Sequence, residues 1–309
     1  MKAMIRLAAV ATSALVALTA CGGGDSGSDD PLAGPTKSGA GGGSVVVGSA
    51  NFPENVLLGE IYAQALEAKG VTVQKKLNIG AREVIYKSIQ NGELSILPEY
   101  NGALLAYIDK ESKATTTDQV DSELKQKLPS GLELLTPAAA EDKDSVTVAK
   151  ATADKYKLTT IEDLKPVAKD LVIGGPPEFK TRHQGLVGLK SVYGVEFKSF
   201  KSLDVAGPVS VSALKKGDVQ AADLFTTDPA ISKNGFVTLQ DTKNLFSAQN
   251  VVPLVNSSKV NDTIKSTLNA VSAKLTTQDL LDMNTKMSAD KEDPDAVAKE
   301  WLSKAGLAG

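Results

Sequence analysis

From Val45 onward, short apolar runs alternate with segments whose apolar residues recur at helical spacing, and this alternation restricts the fold more than any other feature of the chain. Residues 45–49 read as a buried strand. Residues 54–69 follow as a helix with Val56, Leu57, Ile61, Ala65 and Leu66 on its apolar face, ended by Gly70. Residues 71–77 form the next expected strand. Residues 82–90 are a helix with Val84, Ile85 and Ile89 on one side, and Gly92 separates it from a strand at 94–97. A βαβαβ order calls for a parallel sheet covered by helices, with right-handed crossovers and ligands gathered at the carboxyl ends of the strands.

A second unit of the same kind follows Pro137. Strands are expected at 146–149, 171–174, 196–200, 220–225 and 236–239. A short helix opens at Thr160 with a pattern close to a capping box, and another spans 208–216. The chain then passes through 250–255 into three helices: 259–274, one capped by Thr276 with Asp279 at its third position, and one with Asp293 as cap and Pro294 at its first position. Helices with apolar faces and no strands of their own need a sheet to cover. The reading is therefore an α/β protein of two lobes, residues 45–142 plus 251–309 and residues 143–250. The chain crosses twice between them, with hinges near 142–146 and 248–251 and a ligand cleft in between.

The amino end carries an address. Lys2 and Arg6 precede an apolar run from Leu7 to Leu18, then Leu18-Thr19-Ala20-Cys21, in a stretch without acidic residues. This resembles a bacterial lipoprotein signal peptide at 1–20, which makes Cys21 the lipidated first residue of the mature chain and gives the protein an extracytoplasmic, membrane-anchored location. Residues 22–44 hold nine Gly, four Ser and two Pro, a composition that builds no core. Such a flexible tether reaches roughly 25 Å.

Composition removes several chemistries. The chain has one Cys and one His, His183, so disulfides, zinc sites and a Cys-His nucleophile have no material beyond the expected lipid attachment point. A formal net charge of −3 leaves no basic excess for nucleic acid. Gly-x-Ser-x-Gly, HExxH and phosphate-loop patterns are all missing, and no cofactor, metal or catalytic activity is expected. An enzyme on this scaffold would have to use a Ser-Lys or a paired-carboxylate site, with Glu178 and Asp228 the first pair to test.

Several ordered motifs carry a resemblance. They are Ser49-Ala50-Asn51-Phe52-Pro53-Glu54, Leu58-Gly59-Glu60-Ile61-Tyr62-Ala63-Gln64-Ala65-Leu66-Glu67, Gly80-Ala81-Arg82-Glu83-Val84, Pro98-Glu99-Tyr100-Asn101-Gly102, Pro177-Glu178-Phe179 with Thr181-Arg182, and Ala222-Asp223-Leu224-Phe225-Thr226-Thr227-Asp228. In series they resemble the osmoprotectant-binding lipoproteins of ABC importers, which capture glycine betaine, choline, carnitine and related quaternary amines. The resemblance implies a type II periplasmic-binding-protein-like fold, a small polar or quaternary-amine solute, an ABC permease as membrane partner and a monomeric receptor.

A trimethylammonium group donates no hydrogen bond, so aromatic faces hold it, while an Arg meets a ligand carboxylate. Carried over, Tyr100 stands at one cage position and Phe225 or Leu224 at another, Arg182 at a carboxylate-binding position and Asn51 in the Asn-Phe motif. Where family members have further aromatic residues this chain has Asp144 and Gln249-Asn250, and it has only 14 aromatic residues in all. The resemblance thus implies a polar pocket of Tyr100, Phe225, Asp142, Asp144, Arg182, Gln249, Asn250 and Asn51. Such a pocket also suits a polyol or an amino-acid-like zwitterion, and a sensor lipoprotein that has lost transport is a further alternative. Trp301 is expected to anchor the last helix on the sheet, and His183 to lie at the surface.

Overall fold

A computed structural model describes residues 44–308. The expected signal peptide, Cys21 and all but the last residue of the expected tether lie outside the described residues. Ten strands form two five-stranded sheets. They are β1 (Val45–Ala50), β2 (Val73–Gly80), β3 (Ile96–Tyr100), β4 (Leu132–Leu134), β5 (Asp144–Val148), β6 (Val172–Gly175), β7 (Ser199–Ser202), β8 (Ala221–Phe225), β9 (Val237–Thr238) and β10 (Val251–Asn256). The first sheet has the order β2-β1-β3-β10-β4 and the second β7-β6-β8-β5-β9.

The two sheets share one plan. Three parallel strands, β2, β1 and β3 in the first and β7, β6 and β8 in the second, are followed by one strand of opposite direction. That reversed strand is β10 in the first sheet and β5 in the second. Each is the first strand made after the chain has changed sheets, so the two crossings enter their new sheets antiparallel to the strand they meet. The crossings themselves lie side by side, with Asp142 N–H donating to the Gln249 carbonyl at 3.1 Å and Val251 N–H to the Ala140 carbonyl at 3.0 Å.

Burial explains why the helices form where they do. Helix Pro53–Glu67 begins with Pro at its first position and Glu54 in its first turn, where a fixed φ and a negative charge suit the helix start. It is buried almost all round because β1 and β2 lie on one side and the last helix, Pro294–Ala305, on the other. Trp301 packs in this first core with Leu58, Ile61, Leu268 and Val297, so it anchors helix against helix as much as helix against sheet. The second lobe has its own core around Val146, Ile173, Phe179, Leu189 and Leu245.

Several expectations shift. The strand expected at 71–77 runs from Val73 to Gly80, and the one at 196–200 from Ser199 to Ser202. The helix expected at 259–274 is Asp262–Ser272, because Asn261 caps it by accepting the Ile264 N–H and Ser257–Lys259 forms a separate 3-10 turn. Asp293 occupies the cap position of the last helix and makes no side-chain cap bond. Five helices, Asn101–Ile108, Thr117–Lys127, Lys150–Tyr156, Gly188–Tyr193 and Ala230–Asn234, and the strand Leu132–Leu134 lie outside the elements that the sequence pattern predicts. The capping box of Thr116 with Gln119 starts the second of them.

Candidate functional site

The site is built at the carboxyl ends of β3 and β8 and at the two crossings. A cavity of about 50 Å³ lies between the lobes. From the first lobe it is bordered by Asn51, Phe52, Arg82, Glu99 and Tyr100, from the crossings by Asp142, Asp144 and Gln249, and from the second lobe by Glu178, Arg182, Val205 and Phe225. A larger groove of about 480 Å³ lies beside it and shares Phe52, Val205 and Phe225 as a common wall.

Of the eight site residues expected from sequence, seven line the inner cavity: Asn51, Tyr100, Asp142, Asp144, Arg182, Phe225 and Gln249. Asn250 is not among the lining residues. Its side chain works inside the first lobe, accepting from the Thr117 hydroxyl at 2.6 Å and donating to the Ala138 carbonyl at 3.1 Å. Glu178 borders the inner cavity and Asp228 the larger groove. His183 is half-buried at a third pocket with Gln184, Lys243 and Ser247.

Three aromatic rings meet at the inner cavity. Phe52 lies 4.9 Å from Phe225, centroid to centroid, and 6.0 Å from Tyr100. Phe225 comes from the second lobe and the other two from the first, so this contact forms only when the lobes approach. Phe52 carried no signal beyond its place in the Asn-Phe-Pro motif.

Both cationic groups of the cavity are engaged. Arg82 forms a fork on Glu99, with Nε and a terminal nitrogen donating at 2.8 to 3.1 Å, and the Glu99 side chain is almost fully buried. The Arg182 guanidinium, expected to await a ligand carboxylate, donates to Glu83 of the opposite lobe at 2.9 and 3.0 Å. Burial opposes the charge on Glu83, but Arg182 outweighs it and holds that carboxyl below its usual range. The sequence pattern did contain these pairs, since Arg82-Glu83 and Glu99 sit in two of the shared motifs. Spacing along the chain shows nothing of which acid meets which base.

A second set of groups ties the lobes together. Glu54, at the start of helix Pro53–Glu67, accepts from the Tyr100 hydroxyl at 2.7 Å, from the Thr227 hydroxyl at 2.6 Å and from Asn284 Nδ2 at 2.6 Å. Thr227 belongs to the second lobe; Tyr100 and Asn284 belong to the first, 184 residues apart in sequence. Burial, and after it the Glu54 charge, raises the Tyr100 hydroxyl well above the ordinary tyrosine value, so it stays a donor. Asp142 Oδ1 in turn accepts from the Thr227 N–H at 3.1 Å and the Thr226 hydroxyl at 3.2 Å. Asn284 had no sequence signal.

Carboxylates dominate what remains. Asp142, Asp144 and Asp223 are all raised above the ordinary carboxylate value, in each case chiefly by burial. Glu54 adds to the rise at Asp142 and Asp144 to that at Asp223, whereas Arg182 and Arg82 restrain it at Asp144. Among the described residues no group of three or more His, Cys, Asp or Glu side chains is arranged to hold a metal ion, and no helix is long and apolar enough to cross a membrane. The arrangement is thus a partly aromatic, acid-rich cleft with a hydrogen bond and an ion pair running between the lobes, suited to holding a small charged solute.

Known proteins share this architecture. The chain is 30% identical over 277 residues to the glycine betaine-binding protein YehZ of Escherichia coli strain K12, covering 85% of this chain and 90% of that protein. The solved structure of apo YehZ from Escherichia coli superposes with a TM-score of 0.58 at 28% identity, covering 85% of this chain and 99% of that one. The crystal structure of a glycine betaine/carnitine/choline ABC transporter has the same fold, with a TM-score of 0.66 at 22% identity over 86% of this chain and all of that one. The family description "substrate binding domain of ABC-type glycine betaine transport system" matches residues 43–304. With a match across nearly the whole described chain and the same two-sheet, double-crossing plan, this protein belongs to the family of substrate-binding domains of ABC-type glycine betaine transport systems.

Proposed function

We propose that the protein captures a compact cationic or zwitterionic solute of the glycine betaine, choline or carnitine type in the cleft between its lobes and presents it to an ABC permease. Proteins of this family are transport receptors that act outside the cytoplasm with a membrane partner. The observation that carries the reading for this chain is the meeting of Phe52, Tyr100 and Phe225 across the cleft beside the carboxylates of Asp142 and Asp144. Aromatic faces and negative charge together favour a cation in a site shielded from water. No bond-making group is needed for that task, and the receptor is not an enzyme. It is held to the membrane by lipid on Cys21, consistent with the basic, apolar and small-residue order of residues 1–21, and it works as a monomer.

Lobe closure signals occupancy. Solute settles among the first-lobe and crossing residues. The second lobe then brings up Phe225, Arg182 and Thr227, and the Glu54 and Glu83 contacts hold the closed form. The test is a melting-temperature survey with glycine betaine, choline, carnitine, proline betaine and polyols. A binder present at a hundredfold its Kd adds about 2.7 kcal/mol, an upward shift on the order of 5 °C. Flat melting curves with every one of these solutes would overturn the assignment.

A further inference from the structure

The inner cavity has more acid than base can answer. Its two cations are both committed, Arg82 to Glu99 and Arg182 to Glu83. Asp142, Asp144 and Glu178 border the same space, and none of them forms an ion pair among the described residues. Asp142 uses one oxygen for Thr226 and Thr227 and takes no hydrogen bond on the other. Asp144 receives only a long contact of 3.4 Å from Gln249 Nε2.

A fourth carboxyl stands behind these. Alternation along β8 puts Asp223 on the same face as Phe225, and the ladder sets Asp144 opposite Phe225 and Val146 opposite Asp223. Asp223 is therefore the next residue inward from the cavity wall on that face. It is 1% exposed, and its Oδ1 has no hydrogen-bond partner. Buried polar atoms are normally paired, so an orphaned carboxyl oxygen beside a ligand cavity points to a group the protein itself does not supply.

The aromatic side is thin by comparison. Among the described residues, Phe52, Tyr100 and Phe225 are the only aromatic rings on the cavity, and Phe52 already packs against the other two. A quaternary ammonium presents C–H groups alone and would leave the free aspartate oxygens desolvated and unpaired. A cation with N–H bonds satisfies charge and hydrogen bonding at once.

We propose that this cleft selects a cation bearing N–H groups, a protonated amine or guanidinium, over its fully methylated counterpart, with Asp142 and Asp144 accepting from the nitrogen and Asp223 as a further carboxyl behind them. The proposal rests on the cleft being the solute site and names the chemical class it prefers.

The experiment is calorimetric titration of the full chain with two matched pairs at neutral pH: N,N-dimethylethanolamine against choline, and N,N-dimethylglycine against glycine betaine. Each pair differs by one N–H in place of one N–CH₃. At least tenfold tighter binding of the N–H member is expected in both pairs, shrinking to under threefold in Asp144→Asn and in Asp142→Asn, each shown to be folded by circular dichroism. Equal or tighter binding of choline and glycine betaine overturns the proposal while leaving the receptor reading intact. So does binding of a methylated solute with none by either amine. A preference that survives both substitutions overturns the assignment to these carboxylates. If none of the four solutes binds, and a wider solute survey is also flat, the receptor reading itself has failed and the proposal goes with it.

Discussion

The motif Pro98-Glu99-Tyr100-Asn101-Gly102 shows how densely single residues are used. Glu99 fixes Arg82, the Tyr100 hydroxyl reaches Glu54, and Asn101 Oδ1 accepts from the Asn250 N–H at 2.8 Å. Replacing Arg82 with Met leaves the Glu99 carboxylate buried and unpaired, and a loss of about 3–5 kcal/mol is expected in urea unfolding. The double variant Arg82→Met with Glu99→Gln should recover part of that loss, and no recovery would show that the pair acts through something else. Asp223 gives a pH dependence. Its carboxyl is raised well above the ordinary 3.8 by burial and then by Asp144, with Arg182 opposing. A raised carboxyl binds its proton more tightly folded than unfolded. Its contribution to stability is full below the ordinary value and is lost as pH rises through the raised one. Asp142 and Asp144 push in the same direction, while Glu83, held low by Arg182, acts only at more acid pH. The ligand-free protein should therefore be more stable near pH 5 than near pH 8, and Asp223→Asn should flatten that slope. An unchanged slope in the variant would remove Asp223 from the account.

At the scale of elements, a tight joint forms where helix Asn101–Ile108 meets the second crossing. A Cβ on Gly102 would come 2.1 Å from the Ala248 carbonyl oxygen and 2.5 Å from the Ser247 hydroxyl, so this helix can lie against the crossing only with glycine there. Gly102→Ala forces the two apart. Thermal melting should show a loss of about 1–3 kcal/mol, as other overpacked sites do, accompanied by weaker solute binding because Gln249 directly follows Ala248. A variant as stable as the parent would mean that the crossing shifts freely. The joint was not legible in the sequence: the run Asn101 to Ile108 is apolar almost throughout, gives no face of its own, and follows β3 without a break. Helix Pro53–Glu67, by contrast, was read nearly to its ends, because Pro53 and Gly70 mark a start and a stop whatever surrounds them.

Across the whole molecule, closure rests on a few polar contacts rather than on a broad apolar interface. Thr227 is the second-lobe member of the Glu54 cluster, and its hydroxyl bond to a carboxylate is worth about 1.5–3 kcal/mol. Thr227→Val keeps shape and removes the donor. The closed population should fall by about tenfold or more, read as a larger radius of gyration in X-ray scattering with little change in far-UV circular dichroism. Identical scattering curves would show that this bond does not hold the lobes. The Arg182 to Glu83 pair is partly exposed, with side chains 27% and 38% accessible, and should add only about 0.2–1 kcal/mol to closure.

The α/β class, most of the strands and the return of the chain to its first sheet could be read from periodicity and from Gly and Pro signals, because those depend on neighbours in the chain. Of the residues that border the cavity, Asn51, Tyr100, Arg182 and Phe225 sit in the shared motifs, whereas Asp142, Asp144 and Gln249 do not. What the chain could not show by itself was partnership. Arg182 reads as a free cation until folding sets it against Glu83. Asn250 reads as a lining residue until the Thr117 helix claims its side chain, and Asn284 has no visible role until it meets Glu54 across 230 positions. These outcomes belong to the tertiary structure because hydrogen bonds and ion pairs are decided over about 3 Å in space, a distance that sequence separation does not encode.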